Sequence, residues 1–364
     1  MHGISDGVPT YVKRDATLRA KIIDACGMTC TFCHNEGTPV AADNRRREVG
    51  SFTGGGSSGR VSIYARSNGV SFLPTSMAAD DEYLHALLAL RFTLGVCELH
   101  LTGGEPTLHQ GLTSLIRVAR RAGYGACMTS NGERAAQVIP EAAQAGLDRV
   151  NFSIFGTTPR ELAEVQHARF QDVAKAQRKI DALRAAIDVC AANEVQANAN
   201  VVVLDESHVD RVHRLLDEFS PTLSVRLLNS LDHGQRSLDA IEQVLVERGA
   251  VPEAHYVTAG VSGARTAYRM SDGRRIMVKW IRPARLPETC AGCRFNNGTD
   301  CQEGFYGVRL YRARDGRWMV GVCIQRMDLC RPLDEFADSE LATEIVQYRE
   351  AEYRRLALTA TPVN

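Results

Sequence analysis

The chain of 364 residues is short of several things, and each shortage removes a class of function. It has no net charge, because 43 Lys plus Arg balance 43 Asp plus Glu. That leaves no electrostatic footprint for a nucleic-acid surface or an anionic membrane. No apolar run comes near the roughly 18 residues of a membrane span. Residues 1–17 hold no apolar signal segment, so export is not expected. Aromatic residues are modest at 6%, while 44% of the chain is apolar, the make-up of an ordinary globular core. Cysteine is the residue the chain does not lack. There are eleven, and in a chain without an export signal they point to metal rather than to disulfides.

Three cysteines stand close together, Cys26, Cys30 and Cys33, in a C-x3-C-x2-C run with Phe32 just before the third. Thiolates so placed can hold three corners of a [4Fe–4S] cube, and the fourth iron is then open to another ligand. A zinc knuckle is the rival reading, but zinc sites favour paired C-x2-C spacings with a fourth ligand. An oxygen-sensitive cluster needs a reducing compartment, so a cytoplasmic location is expected. About 70 residues after the triad comes Gly103-Gly104-Glu105-Pro106. Its glycines let the backbone approach a ligand closely, and its carboxylate can accept a hydrogen bond from an ammonium group.

Short β-type runs alternate with amphipathic stretches through the first two thirds of the chain. Strands are predicted at 18–25, 98–102, 126–130, 149–155, 196–204 and 223–228. Helices are predicted at 81–94, 112–122, 134–145, 171–192 and 207–219. Such alternation argues for a parallel sheet. Six units suggest an α/β fold built as a partial, open (β/α)6 barrel, with the motifs at the C-terminal ends of the strands. Residues 37–79 interrupt the pattern with a Gly/Ser-rich centre that reads as a flexible insertion. After residue 250 two hairpins are expected, 268–270 with 275–281 and 306–312 with 317–322, turning at Asp272-Gly273 and Asp315-Gly316. A charged amphipathic helix, 337–358, follows. The division expected is a barrel over 1–250 and a small α+β domain over 251–364.

That second region carries its own cysteines: Cys290, Cys293, Cys301, Cys323 and Cys330. The spacing C-x2-C-x7-C followed by Cys323 suits an auxiliary iron–sulfur site, and a structural zinc remains open because four thiolates suit both metals. Cys330 is read as a non-ligating residue. Cys97, Cys127 and Cys190 read as buried, inert thiols. Polar residues recur at strand ends, and of these Ser130, Ser153 and Asn200 are taken as ligand contacts. Each could equally cap a helix or satisfy a turn.

The cysteine triad with Gly-Gly-Glu-Pro resembles the radical S-adenosylmethionine (SAM) superfamily, and residues 17–330 as a whole resemble its members with a twitch-type auxiliary-cluster domain. The resemblance implies a [4Fe–4S] cluster with an open iron, a second, auxiliary [4Fe–4S] cluster, and SAM. It also implies a reductant such as flavodoxin or ferredoxin. SAM would be cleaved to a 5′-deoxyadenosyl radical that abstracts hydrogen from substrate. Within the superfamily the chain is most similar to the GTP cyclases of molybdenum-cofactor biosynthesis. By that likeness Phe32, Gly104 and Ser153 match SAM contacts, with Leu231 where a SAM-contacting methionine is expected; Gly103 and Glu105 join them as SAM contacts from the reading of the Gly-Gly-Glu-Pro turn. Arg19 and Thr129 match substrate-side residues, and Arg226 joins them as a remaining cation. His100 stands where that family has an arginine, and Asn198 where it has a lysine. The Arg-x-Arg signature between C-terminal cysteines and the terminal Gly-Gly are absent, and Cys301 is extra. The expected activity is oxidation, rearrangement or cyclisation of a small polar metabolite in specialised metabolism. No nucleic-acid or membrane partner is expected. A peptide-modifying maturase is the alternative enzyme, disfavoured by the few residues before Cys26. A metal scaffold without catalysis is the alternative outside enzymes.

Overall fold

The computed structural model describes residues 7–23, 25–32, 77–298, 300–313, 315–323, 326 and 329–361. Cys33 and most of the expected insertion, 37–76, lie outside them. Among the described residues thirteen strands form one sheet: β1 (Thr10–Arg14), β2 (Thr17–Ile23), β3 (Glu98–Gly103), β4 (Gly125–Ser130), β5 (Leu147–Ser153), β6 (Gln196–Val203), β7 (Ser224–Asn229), β8 (Val251–Ala259), β9 (Gly263–Arg269), β10 (Arg275–Ile281), β11 (Val308–Arg312), β12 (Trp318–Gly321) and β13 (Arg331–Pro332). Strands β2 to β7 lie in sequence order and all pair in parallel. The result is a mixed α/β fold with a curled parallel half-barrel, extended by C-terminal strands and helices.

The helices are α1 (Asp81–Leu94), α2 (Leu112–Arg121), α3 (Ala135–Gln144), α4 (Pro159–Glu164), α5 (Val173–Ala192), α6 (Val209–Glu218), α7 (Gln235–Glu247), α8 (Leu333–Ala337) and α9 (Glu340–Ala357). Local chemistry sets their ends. Asp80 caps α1 by accepting from Tyr83 N, and Gly95 closes it in the left-handed region at φ 65°. Thr158 and Glu161 form a reciprocal capping box on α4. Asp172 caps α5.

Side-chain alternation along the parallel strands divides them into two faces. Leu99, Leu101, Val150, Phe152, Ala199, Val201 and Leu227 point outward and are fully or nearly fully buried in the core under the helices. Their neighbours, His100, Thr129, Asn151, Asn198 and Arg226, point into the barrel. Polar residues at every second position therefore line a lumen.

The strands on either side of residue 250 share this sheet. Strand β10 pairs in parallel with β7, and β9 joins it antiparallel. On the other flank β11 pairs in parallel with β2. The C-terminal helix is anchored by Glu352, which accepts from Gly260 N at 2.6 Å and pairs with Arg282 at 2.6 Å. We keep the division at residue 250 as a proposal about the chain, with one sheet running through it.

Candidate active site

The loop after β2 carries Cys26 and Cys30. Around it the chain builds a hydrogen-bonded frame. Gly104 N and Glu105 N donate to Ile23 O and Ala25 O at 2.7 and 2.8 Å, so the Gly-Gly-Glu-Pro turn lies against the end of β2. A Cβ on Gly103 would come within 2.4 Å of Ile23 O, which is why the turn needs glycine there. Below it sits Glu105, 1% exposed. Its Oε1 accepts from Thr107 N at 3.0 Å, Thr107 Oγ1 at 2.7 Å and Ser130 Oγ at 2.8 Å, and Oε2 accepts from Asn131 N at 2.6 Å. Burial pushes this carboxyl up, and those donors push it back. Glu105 and Ser130 therefore tie the turn to the end of β4.

A segment between β5 and α5 grips the cysteine loop from the other side. Thr31 N donates to Val165 O and His167 N to Thr29 O, each at 3.0 Å, flanking an antiparallel bridge between Cys30 and Gln166. Met28 and Cys30 pack with Leu162, Ala163, Ala176 and Ile180 in a small apolar cluster of their own. Lys179 adds a bond to Gly27 O at 3.0 Å and pairs with Glu133 at 2.9 Å. Phe32 is 46% exposed, its ring 5.1 Å from that of Phe155.

Deeper in the lumen a polar chain crosses four strands. His100 Nε2 meets Thr129 Oγ1 at 2.8 Å and Asn151 Nδ2 at 3.2 Å, and Asn198 Nδ2 donates to Asn151 Oδ1 at 2.9 Å. The Asn151 amide can only donate, so Nε2 accepts and the neutral ring carries its proton on Nδ1. Burial holds the His100 pKa down at about 3, helped by Arg19, Arg149 and Arg226. Cations crowd this space. Arg226 is lowered to about 10 by burial and by Arg265 and Arg149. Lys279 and Arg265 are lowered by burial first, then by neighbouring positive charge. Arg149 is neutralised by Glu98 at 2.5 Å, and Lys279 stands 3.9 Å from Glu303. Arg226 donates to Asn200 Oδ1 at 3.3 Å, yet its Nε is buried without a partner.

The region after residue 280 gathers a second group of cysteines around a cavity. Cys290, Cys293, Cys301 and Cys323 line one cavity together with Phe295 and Phe305. Burial raises the Cys290 and Cys301 thiols. Arg285 braces the loop through Cys301 O and Asn296 Oδ1, and Asn296 Nδ2 donates to Cys290 O at 2.9 Å. Cys330 is buried, raised to about 12, and does not line the cavity. Among the described residues no trio of His, Cys, Asp or Glu converges tightly enough to hold a metal ion as it stands.

Residues 21–217 match the model of the radical SAM superfamily. The chain belongs to that superfamily. It is thus a radical SAM enzyme, whose members hold a [4Fe–4S] cluster and SAM. Its similarities also run to a probable GTP 3′,8-cyclase of Thermoplasma volcanium, 24% identical over 95% of this chain and 90% of that one. A GTP 3′,8-cyclase of Nitrobacter hamburgensis is 34% identical over 49% of this chain and 44% of that one. The crystal structure of Streptococcus suis SuiB is similar over 93% of this chain and 67% of that chain, at 14% identity and a TM-score of 0.48. None of the described helices is long and apolar enough to cross a membrane.

Several expected residues meet in this radical SAM barrel. Cys26, Cys30, Glu105 and Ser130 share the rim frame, while His100, Thr129, Asn198, Asn200 and Arg226 share the lumen. Arg19 donates to Tyr306 O at 2.7 Å at the join to β11. Ser153 lies at the end of β5 opposite Asn200, and Leu231 in the turn after β7. Sequence reasoning missed Asn151, Gln166, Arg265 and Lys279. Asn151 was recoverable, since it alternates in phase with Ser153 on a predicted strand.

Proposed function

We propose that this radical SAM enzyme abstracts a hydrogen atom from a small polar metabolite bearing an anionic group. Cys26, Cys30 and Cys33 would hold the SAM cluster. Cys290, Cys293, Cys301 and Cys323 would hold an auxiliary cluster, because four thiols of the right donor chemistry share one cavity. When bound, the cluster and SAM supply a 5′-deoxyadenosyl radical. The protein's own work is to orient the substrate and keep water away from it.

One observation carries the anionic reading. Arg265 pairs with Lys279 across β9 and β10, on the face that also holds Arg226 one pleat away. Among the described residues neither Arg226 nor Arg265 has an ion-pair partner, and a half-buried guanidinium without one favours an incoming oxyanion. The centre of the lumen, by contrast, is the neutral Thr129–His100–Asn151–Asn198 chain. That arrangement supports a charge at one end of the substrate and a hydrogen-bonding body in the middle. A flavodoxin- or ferredoxin-type donor would supply electrons.

Deuterium-labelled carboxylates, phosphate monoesters and GTP, each incubated with reductant and SAM, test the reading. Deuterium should appear in 5′-deoxyadenosine from one of the first two classes. Arg265→Gln should raise KM for that compound about tenfold or more, the scale of a lost charge-assisted bond. Deuterium transfer from no carboxylate and no phosphate monoester, with transfer instead from uncharged polyols assayed alongside, refutes the proposal.

A further inference from the structure

Two side-chain amides touch the sulfurs of the cysteine loop, and the backbone fixes which way each one faces. Gln166, 7% exposed, accepts from Thr29 N through Oε1 at 2.7 Å. A backbone N–H can only donate, so the oxygen must lie there. The nitrogen then faces Leu162 O at 3.3 Å, which can only accept, and Cys30 Sγ at 3.5 Å. Asn131, also 7% exposed, repeats the device from β4's end: its Oδ1 accepts from Glu133 N at 2.8 Å, and its Nδ2 faces Cys26 Sγ at 3.6 Å.

We infer that Gln166 and Asn131 are positioning residues that donate N–H···S hydrogen bonds to Cys30 and Cys26 and so set the reduction potential of the cluster those cysteines hold. The inference rests on the assignment of Cys26 and Cys30 as ligands. Hydrogen bonds to thiolate sulfur withdraw electron density from the cluster and favour its reduced, more negative state, which raises the potential. Both amides are buried, so water does not screen them. Each also does a second job with its oxygen. Gln166 holds Thr29, the residue just before Cys30, and Asn131 holds the turn beneath Glu133. Donor and acceptor roles can therefore be separated by mutation.

Gln166→Glu and Asn131→Asp keep the acceptor and lose the donor. Gln166→Met loses both without adding charge. Reduction is followed by electron paramagnetic resonance at set potentials on anaerobically reconstituted protein, reading the signal that changes on adding SAM. Iron content is measured alongside. Gln166→Glu and Asn131→Asp should keep wild-type iron, and in all three variants the ratio of reduced to oxidised cluster at the wild-type midpoint should fall about tenfold, a negative shift of about 59 mV for one electron. Full iron with an unmoved potential in Gln166→Glu overturns the inference. Loss of iron from Gln166→Glu also overturns it, since the retained Thr29 contact should hold the loop. A shift in the two charged variants with none in an iron-replete Gln166→Met would mean that added charge, not the lost donor, moved the potential, and would overturn it too. If the wild type shows no SAM-responsive signal, the ligand assignment itself has failed, a separate outcome.

Discussion

Replacing Glu105 with Ala probes the frame that presents Gly-Gly-Glu-Pro. The carboxylate accepts four hydrogen bonds in a site 1% exposed. Two donors are hydroxyls, Thr107 and Ser130, which can rotate toward other acceptors. The other two, Thr107 N at 3.0 Å and Asn131 N at 2.6 Å, are fixed by the backbone and would be left unsatisfied. At about 1–3 kcal/mol per orphaned buried donor, the loss is about 2–6 kcal/mol. Removing a carboxyl whose pKa burial raises returns part of that, so a net loss of about 2–4 kcal/mol is expected. Against a typical total of about 5–15 kcal/mol this is a large shift. Urea unfolding of the cluster-free protein, followed by circular dichroism, measures it without metal linkage. Thr107→Val removes only the 2.7 Å hydroxyl bond and should cost about 1 kcal/mol. In reconstituted protein SAM affinity should fall as well, because the turn proposed to face SAM is no longer held. An unchanged urea midpoint for Glu105→Ala would refute the bracing role, and unchanged SAM affinity would remove Glu105 from the SAM site.

His100 predicts a pH dependence. Its pKa is about 3 in the fold against about 6.5 unfolded, so between those values the unfolded chain binds a proton that the folded one does not. Stability should fall as pH drops through that window by at most about 1.4 kcal/mol per unit, and His100→Gln should flatten the slope in acid titrations of urea midpoints. Iron, sulfide and zinc analysis of a Cys26/Cys30/Cys33→Ala variant should find one remaining [4Fe–4S] equivalent; one zinc instead would make the second site structural. GTP should transfer no deuterium to 5′-deoxyadenosine, since the neutral His100 and Asn198 side chains confine the lumen's cations to the Arg226 end, away from its centre; transfer would return the protein to the GTP cyclases.

The barrel was legible because parallel strands and their helices obey short-range periods. Alternation in 98–102 or 196–204 and the 3.6-residue repeat in 81–94 are local facts, and the structure places β3, β6 and α1 there. Strand β8 and helix α7 went unread, and so did the pairing of β10 with β7, which joins residues some fifty apart in sequence. That pairing decides the charge of the site. In sequence, Arg265 and Lys279 look like polar positions of an ordinary hairpin. Only when β10 closes against β7 do they stand on Arg226's face, and a lumen that His100 and Asn198 had seemed to leave short of cations regains them. Gln166 was invisible for a different reason. It sits in an irregular stretch after α4, where no period distinguishes a buried glutamine from a solvated one, and its meaning comes from an isolated bridge to Cys30. The cysteines could be found by spacing, whereas the groups that touch their sulfurs are set by three-dimensional contact. The groups proposed to read substrate charge and to set cluster potential thus lie outside the motifs.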